Sequence, residues 1–383
     1  MSSEHFSKAQ LKDPEHSPSA HLVHAACMYA HNPVCYATHS QIGDNMGRGL
    51  GRDLIARLHE DHRNGRCTTP TSASDAHRLR NAVGAGYLIS PGPQLYAIPM
   101  LWSELKPSER EAMRIRSLAT LHPQWVFSHY SAAMVYGLSV SHALLGTIHL
   151  ATKSKVRPRK DASVVRHLIT SPGTTTVGNI RVTSLERTVF DCLRTCDFRS
   201  ALAIADSALH VHKLGADDYF TAFRTFSRSS RGWQRAYDIM LLADGRSESG
   251  GESIARAVML ELGFMPPQLQ KEAPNLVDQG VGYRVDFYWS LPDGEIYGEL
   301  DGREKYTNPA MTGGRDAVAV LADERLRESR LSATAAKIMR FSYADVVNTK
   351  RFAHILKTFG IPNGYAVPAV ADPNDPINQQ RRA

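Results

Sequence analysis

The chain lacks any apolar run near the ~20 residues that a membrane span requires, and its opening stretch, MSSEHFSKAQLKDPEHS, has neither the basic start nor the apolar core of a secretory signal. Both absences point to a cytoplasmic protein with no membrane partner. Cysteine is scarce too. Cys27, Cys35, Cys67, Cys192 and Cys196 are odd in number, form no C-x-x-C pair and leave everything after Cys196 empty. That pattern argues against a disulfide framework and leaves reduced, structural thiols. His21, His24, Cys27, His31, Cys35 and His39 have ligand-like spacing but match no zinc-finger pattern, so a His-rich tail is the simpler reading. No internal repeat is evident.

What is present is a long and unevenly charged chain. At 383 residues it exceeds the usual single domain, so two or three compact units are expected. The net charge of +7 is concentrated. Residues 71–245 carry 21 Lys and Arg against 13 Asp and Glu, whereas residues 247–362 carry 14 against 16. The middle of the chain is where a polyanion would dock, unless its charge is simply a solvated surface. A slightly acidic domain follows it.

Residues 1–48, without sustained period and rich in His, Ser, Asn and Gly, read as a disordered extension. Over 49–100 a helix carrying Leu50, Leu54 and Leu58 is followed by a second, DAHRLRNAV, capped by Ser74. Two short strands flanking Pro91-Gly92 then form a hairpin. Helix, helix, hairpin is the order of a winged helix, and it makes Arg78, Arg80 and Asn81 candidate nucleic-acid contacts. Any small α+β unit with an exposed Arg pair would read the same way. Residues 101–245 form a basic α+β and helical middle domain. In it, KSKVRPRK offers Lys153, Lys155, Arg157, Arg159 and Lys160 as a phosphate-contact loop. Thr183 and Glu186 suggest a capping box before LERTVFDCLR, and three amphipathic helices follow at about 198–212, 216–227 and 231–243. The segment from Arg246 to Gly251 has linker composition. A C-terminal domain spans 247–362, and 363–383 reads as a disordered tail.

The chemistry lies in YRVDFYW-SLPDG-EIYGELDG. Tyr283, Val285, Phe287 and Trp289 alternate with Arg284, Asp286 and Tyr288. If Leu291 to Gly294 form a four-residue loop, Ser290 lies opposite Glu295, Asp286 opposite Glu299 and Arg284 opposite Asp301. Directly opposed Cβ atoms are about 5 Å apart, and two carboxylates at ~4 Å repel by roughly 4 kcal/mol at an effective dielectric of 20. A purely structural sheet has no need of such crowding. A divalent cation converts it into coordination, and oxygen ligands suit Mg²⁺, or Mn²⁺ in its place. The alternative is a wet polar face on which Arg284 neutralises Asp301.

The order α-β-β-β-α-β-α, with acids on the second and third strands, resembles the PD-(D/E)XK nuclease fold. Glu299-Leu-Asp-Gly-Arg-Glu-Lys305-Tyr306 looks more narrowly like the E-x-D-G-x-x-H of the very-short-patch-repair-like endonuclease branch. Asp286 in Arg-Val-Asp-Phe matches that branch's preceding acid, and Glu252 its helix-borne Glu. Asp323 to Arg327 and Arg340-Phe341 resemble its basic helix and following strand. The sequence departs from the pattern in having Asp301 for the superfamily's usual Lys and Lys305 for the branch's His. Lysine donates a proton readily but is a poor general base unless its pKa is depressed. HRLRNAVGAGYLISPGPQLYAIP, WVFSHYSAAMVYGLS and RVTSLERTVFDCLR resemble proteins with an AbiEi-type antitoxin winged-helix region.

Together these resemblances imply an α/β nuclease-like C-terminal domain, with a mixed four-stranded sheet flanked by helices, preceded by a winged helix and a mixed α+β region. The implied activity is Mg²⁺-dependent endonucleolytic hydrolysis of double-stranded DNA. Glu252, Asp286, Glu299, Asp301 and Lys305 would form the catalytic set, with Asp286 and Glu299 as metal ligands. The alternative is a non-catalytic antitoxin-like repressor that binds DNA, with a cognate toxin protein as a further partner.

Overall fold

The computed structural model describes residues 50–154, 163–171, 173–226, 231–276, 282–301, 326, 329–331, 334 and 336–366. The expected N-terminal extension lies outside these residues. The protein is mixed α/β and divides into two compact units, 1–101 and 102–383.

In the first unit, α1 (Arg52–Arg63) and α2 (Ala73–Gly84) precede a hairpin of β1 (Ile89–Gly92) and β2 (Leu95–Ala97). Leu54 and Leu58 of α1 bury with Leu50, Leu79, Ala82, Tyr96 and Ile98, as their helical spacing predicts. Two local details differ from expectation. Ser72, not Ser74, caps α2 by accepting from the Asp75 amide, because Asp75 is drawn into a buried network at the helix start. The hairpin turns at Pro93-Gln94, one dipeptide later than expected, with Gln94 at φ 60° and Gly92 paired with Leu95. A bridge between Thr68 and Tyr96 adds a third extended segment.

The helix α3 (Pro99–Glu104) contains the division between the units. The second unit then runs α4 (Pro107–Leu121), β3 (Val126–Phe127), α5 (His129–Val135), β4 (Ile148–Thr152), β5 (Val164–Leu168), β6 (Thr175–Val177) and β7 (Ile180–Val182). These strands form one mixed sheet in the order β5-β4-β3-β7-β6. Four helices follow: α6 (Leu185–Leu193), α7 (Phe198–His212), α8 (Ala216–Thr225) and α9 (Trp233–Leu242). Ser184 caps α6, whereas the expected cap Thr183 is buried and bonds Thr188 instead. Cys192 and Cys196 are free and buried, and burial pushes the Cys196 thiol up to about 12.

The chain continues through α10 (Gly250–Glu261), β8 (Gln268–Ala273), β9 (Tyr283–Leu291), β10 (Gly294–Asp301), β11 (Lys337–Ser342), α11 (Tyr343–Val347) and α12 (Thr349–Phe359). Its sheet has the order β11-β10-β9-β8, with β10 parallel to β11 and the other pairs antiparallel. At the start of the expected C-terminal tail, residues 363–365 are tied back: Phe264 bridges Asn363, and the Gly263 carbonyl accepts from Gly364 and Tyr365.

Helix α10 is buried on two sides. Ala257 and Leu260 join the core of α6 to α9, while Ala255, Val258 and Met259 join the sheet core of Phe287, Trp289, Ile296, Met339 and Phe341. The segment read as a linker, residues 246–251, leads directly into this packed helix. Asp206 of α7 accepts from Arg256 at 2.6 and 2.9 Å and from the Asp244 amide at 2.8 Å, all within that seam.

Candidate active site in the carboxylate hairpin

Strands β9 and β10 pair in the register expected from sequence, with Ser290 opposite Glu295 and Phe287 opposite Gly298. The connection is tighter than a four-residue loop. Leu291 pairs with Gly294, so only Pro292 and Asp293 turn, and Gly294 takes φ 123°, a conformation that side chains disfavour. Gly298 has a different reason to be glycine: a Cβ there would sit 2.9 Å from the Phe287 Cβ and 3.0 Å from the Trp289 ring.

Beyond Gly298 the ladder gives way. The Asp286 carboxylate accepts from the Leu300 amide at 3.0 Å, doing at this point the job of a strand partner. The alternation also breaks here. Phe287 and Trp289 lie in the core against α10, whereas Tyr283 and Val285 pack with Tyr288 and Tyr297, so the four odd-numbered residues do not share one face. The acid sits where the strand changes face.

Glu252 reaches the same place from the first turn of α10. Its Oε1 accepts from the Ser249 hydroxyl at 2.8 Å and its Oε2 from the Glu248 amide at 2.9 Å. Gln270, opposite Asp286 on β8 and held at φ 54°, donates from one amide nitrogen to Glu252 Oε2 at 3.1 Å and to Asp286 Oδ1 at 3.5 Å. Burial raises the Glu252 pKa, and the neighbouring Asp286 charge adds to the rise against the lowering effect of the donors.

Glu299 is buried and faces the other neighbouring strand. Parallel pairing sets it beside Arg340, whose Nη2 donates to Glu299 Oε2 at 2.9 Å. Asp301 ends β10 half-buried, paired in register with Ser342. Arg284 reaches Glu248 at 2.7 Å. The geometry therefore brings Glu252 and Asp286 onto one amide and places Glu299 next along the strand on an arginine. Among the described residues no three His, Cys, Asp or Glu side chains stand close enough together to ligate one ion. The expected metal ligands Asp286 and Glu299 each have a protein donor instead. Lys305 lies outside the described residues.

The donor chemistry nevertheless fits a hard cation. Two carboxylate oxygens, Glu252 Oε2 and Asp286 Oδ1, approach a single point that the Gln270 nitrogen occupies. A divalent ion at such a point would relieve the charge that lifts the Glu252 pKa, and oxygen-only ligation is the preference of Mg²⁺ and Mn²⁺.

The expected nucleic-acid contacts divide. Arg78 is tied inside its unit, donating to the Leu50 carbonyl at 2.9 Å and to Asp75 at 2.7 Å, while Arg80 is exposed. Asn81 is exposed and bonds the His77 ring at 3.1 Å. Lys153 is exposed at the end of β4, and Lys155, Arg157, Arg159 and Lys160 lie outside the described residues. Among the described residues, no helix is long and apolar enough to cross a membrane.

Sequence reasoning did not single out Gln270, a glutamine in an ordinary polar strand. It also passed over three histidines from separate elements. His149 Nδ1 and His167 Nε2 are 2.8 Å apart, and the His129 ring stacks on His167 with centroids 3.6 Å apart. Burial and mutual proximity hold the His149 pKa at about 4, and burial, outweighing the opposing pull of Asp191, does the same for His167. A lone His in an apolar strand carries no sequence signal of such company.

No family profile matches the chain. Two uncharacterized proteins of Mycobacterium tuberculosis, from strains CDC 1551 / Oshkosh and H37Rv, are each 30% identical to it over 180 residues. The match covers 47% of this chain and 64% of each relative, so the chain spans a little under two thirds of their length.

Proposed function

We propose that this is a DNA-associated protein whose second unit carries a PD-(D/E)XK-like phosphodiesterase site. One observation carries the reading. A helix-borne glutamate and a strand-borne aspartate, Glu252 and Asp286, approach one amide nitrogen at a break in the β9–β10 ladder. Carboxylates concentrated in this way suit a site that takes a divalent cation and a phosphate.

In this reading Asp286, with Glu252 beside it or Glu299 on the next strand, would hold Mg²⁺ or Mn²⁺. Glu252, with its raised pKa, orients and deprotonates the attacking water. When bound, the ion supplies Lewis acidity and offsets charge on the scissile phosphate. Asp301 steadies the ligand set, and Lys305 supplies a proton to the leaving oxygen. The first unit, read as a winged helix, presents the exposed Arg80 and Asn81 of α2 to the duplex, and Lys153 adds a phosphate contact. With Mg²⁺ or Mn²⁺ the purified protein is expected to nick supercoiled plasmid, and Glu299→Ala to abolish nicking. Equal nicking by the variant would discard the mechanism.

One observation favours a second reading. Arg340 already neutralises Glu299, as would suit a fold retained for DNA binding alone in an antitoxin-like repressor. That reading expects a saturable mobility shift on upstream DNA that depends on Arg80 and is indifferent to Asp286→Asn. A toxin reading frame beside this one would add a protein partner.

A further inference from the structure

We propose that Trp125, flanked by Arg166 and Arg181, is a docking point for an unpaired nucleobase, at which the second unit holds single-stranded nucleic acid. The docking point needs nothing from the carboxylate hairpin.

Its platform is built where α4 hands over to the five-stranded sheet. His122 caps the end of α4, and its ring stacks on Trp125 with centroids 3.9 Å and planes 17° apart. Burial and the nearby Arg166 charge lower the His122 pKa, so the ring backing the indole is neutral at pH 7. Arg166 pairs with Leu150 across β4 and β5, and its guanidinium stands over the Trp125 ring, 5.7 Å from the centroid. That is close to the ~6 Å outer limit of such a contact, so the cation covers the indole without closing on it. Arg181 Nη1 donates to the carbonyl of Gln124, the residue before Trp125, at 3.2 Å. Val126 pairs with Ala151, so Trp125 and the exposed Lys153 both lie past the same end of the β3–β4 pair.

Charge and shape together select the occupant. Arg166, Arg181 and Lys153 are exposed, and among the described residues none of them forms an ion pair with a carboxylate. Three unanswered cations around a half-buried indole leave phosphate as the complementary charge. The wider surroundings agree, since residues 71–245 carry 21 Lys and Arg against 13 Asp and Glu. Phosphate alone has no use for an indole, whereas a nucleobase stacks on one. Bases inside a duplex keep their faces against their neighbours. An unpaired base is free to enter between Trp125 and the Arg166 guanidinium, each of which offers it a stacking plane. An exposed arginine 5.7 Å from the ring gives way to admit it. Stacking reads no sugar, so single-stranded DNA and RNA both fit this chemistry.

The test is fluorescence anisotropy at one ionic strength, without divalent ions, on the full-length wild type, Trp125→Leu and Trp125→Phe. The probes are labelled oligothymidylate and oligouridylate of about 15 nucleotides, and a duplex of the same length. Trp125→Leu is expected to weaken binding of the better single strand roughly tenfold, and Trp125→Phe, which keeps an aromatic face, less than threefold. Duplex affinity is expected to be the same in all three proteins. A wild type that binds neither single strand overturns the proposal. So does Trp125→Leu with unchanged single-strand affinity, which would mean attraction by charge alone, or with an equal loss on the duplex. Should Trp125→Leu not fold, the wild type decides through photo-crosslinking to an oligonucleotide carrying 5-iodouracil. Mass spectrometry is expected to place the crosslink on Trp125. Crosslinks found only elsewhere contradict the proposal.

Discussion

Two buried ion pairs in the second unit look alike in distance and differ in company. Asp206 and Arg256 meet at 2.6 Å in the seam where α10 joins the core of α6 to α9. Asp206 is fully buried and also accepts from the Asp244 amide, while Arg256 donates as well to the Leu242 carbonyl. Even so, burial raises the Asp206 pKa, because desolvation outweighs Arg256 and the other donors. Glu299 and Arg340 meet at 2.9 Å, and their arginine is the more exposed of the two. The first pair closes a seam. The second joins two neighbouring strands of the C-terminal sheet.

Removing one partner from each pair is the strongest way to break this distinction. Asp206→Ala strands Arg256 in the seam and is expected to cost about 3–5 kcal/mol in urea unfolding, the range for an orphaned buried charge. Glu299→Ala leaves an arginine with more access to water, and its cost is expected to be clearly smaller, about 1–2 kcal/mol. Equal costs would erase the contrast. Lowering the pH probes a third buried group, the stacked His129, His149 and His167, which Asp191, Arg187 and Arg194 of α6 and Tyr130 of α5 surround. Their folded pKa values lie below the ordinary 6.5, so the unfolded chain binds more protons. The stability contributed by the neutral rings is therefore fully present above pH 6.5 and lost as the pH falls toward about 4, where His149 and His167 protonate in the folded state. His149→Gln with His167→Gln is expected to flatten the thermal melting temperature across that window. An unchanged slope would assign the acid sensitivity elsewhere. The smallest effects are expected in the first unit. Arg78, held by Asp75 and the Leu50 carbonyl, should lose stability by about 1 kcal/mol on Arg78→Ala. The exposed Arg80 should lose DNA affinity instead, by roughly three- to tenfold in a mobility shift.

The sequence made the second sheet legible because its signals were local. A Pro-Asp-Gly turn fixed the hairpin register as far as Phe287 and Gly298, while the expected pairs Asp286–Glu299 and Arg284–Asp301 are not among the paired residues. What it concealed were relations between distant segments. Arg340 lies 41 positions from Glu299 and meets it only because a later strand returns parallel to β10. Asp206 lies 50 positions from Arg256, and nothing local in either helix announces that they meet. The face change at Asp286 was hidden for another reason. Period-2 alternation in YRVDFYW is the pattern of a regular strand, and nothing in it announces that the acid will cap the Leu300 amide. Ser72 and Ser184 displaced the expected caps by one or two residues, because buried bonds to neighbouring side chains select which hydroxyl is left to meet the helix.

The metal-dependent reading proposed above requires a divalent cation to reach Asp286 and Glu252, which share the Gln270 amide in the free protein. Crystals of the full chain soaked in MnCl₂, with data collected at the manganese edge, test it most directly. An anomalous peak is expected within ligand distance of Asp286. Crystals showing no peak there would contradict the metal-dependent reading.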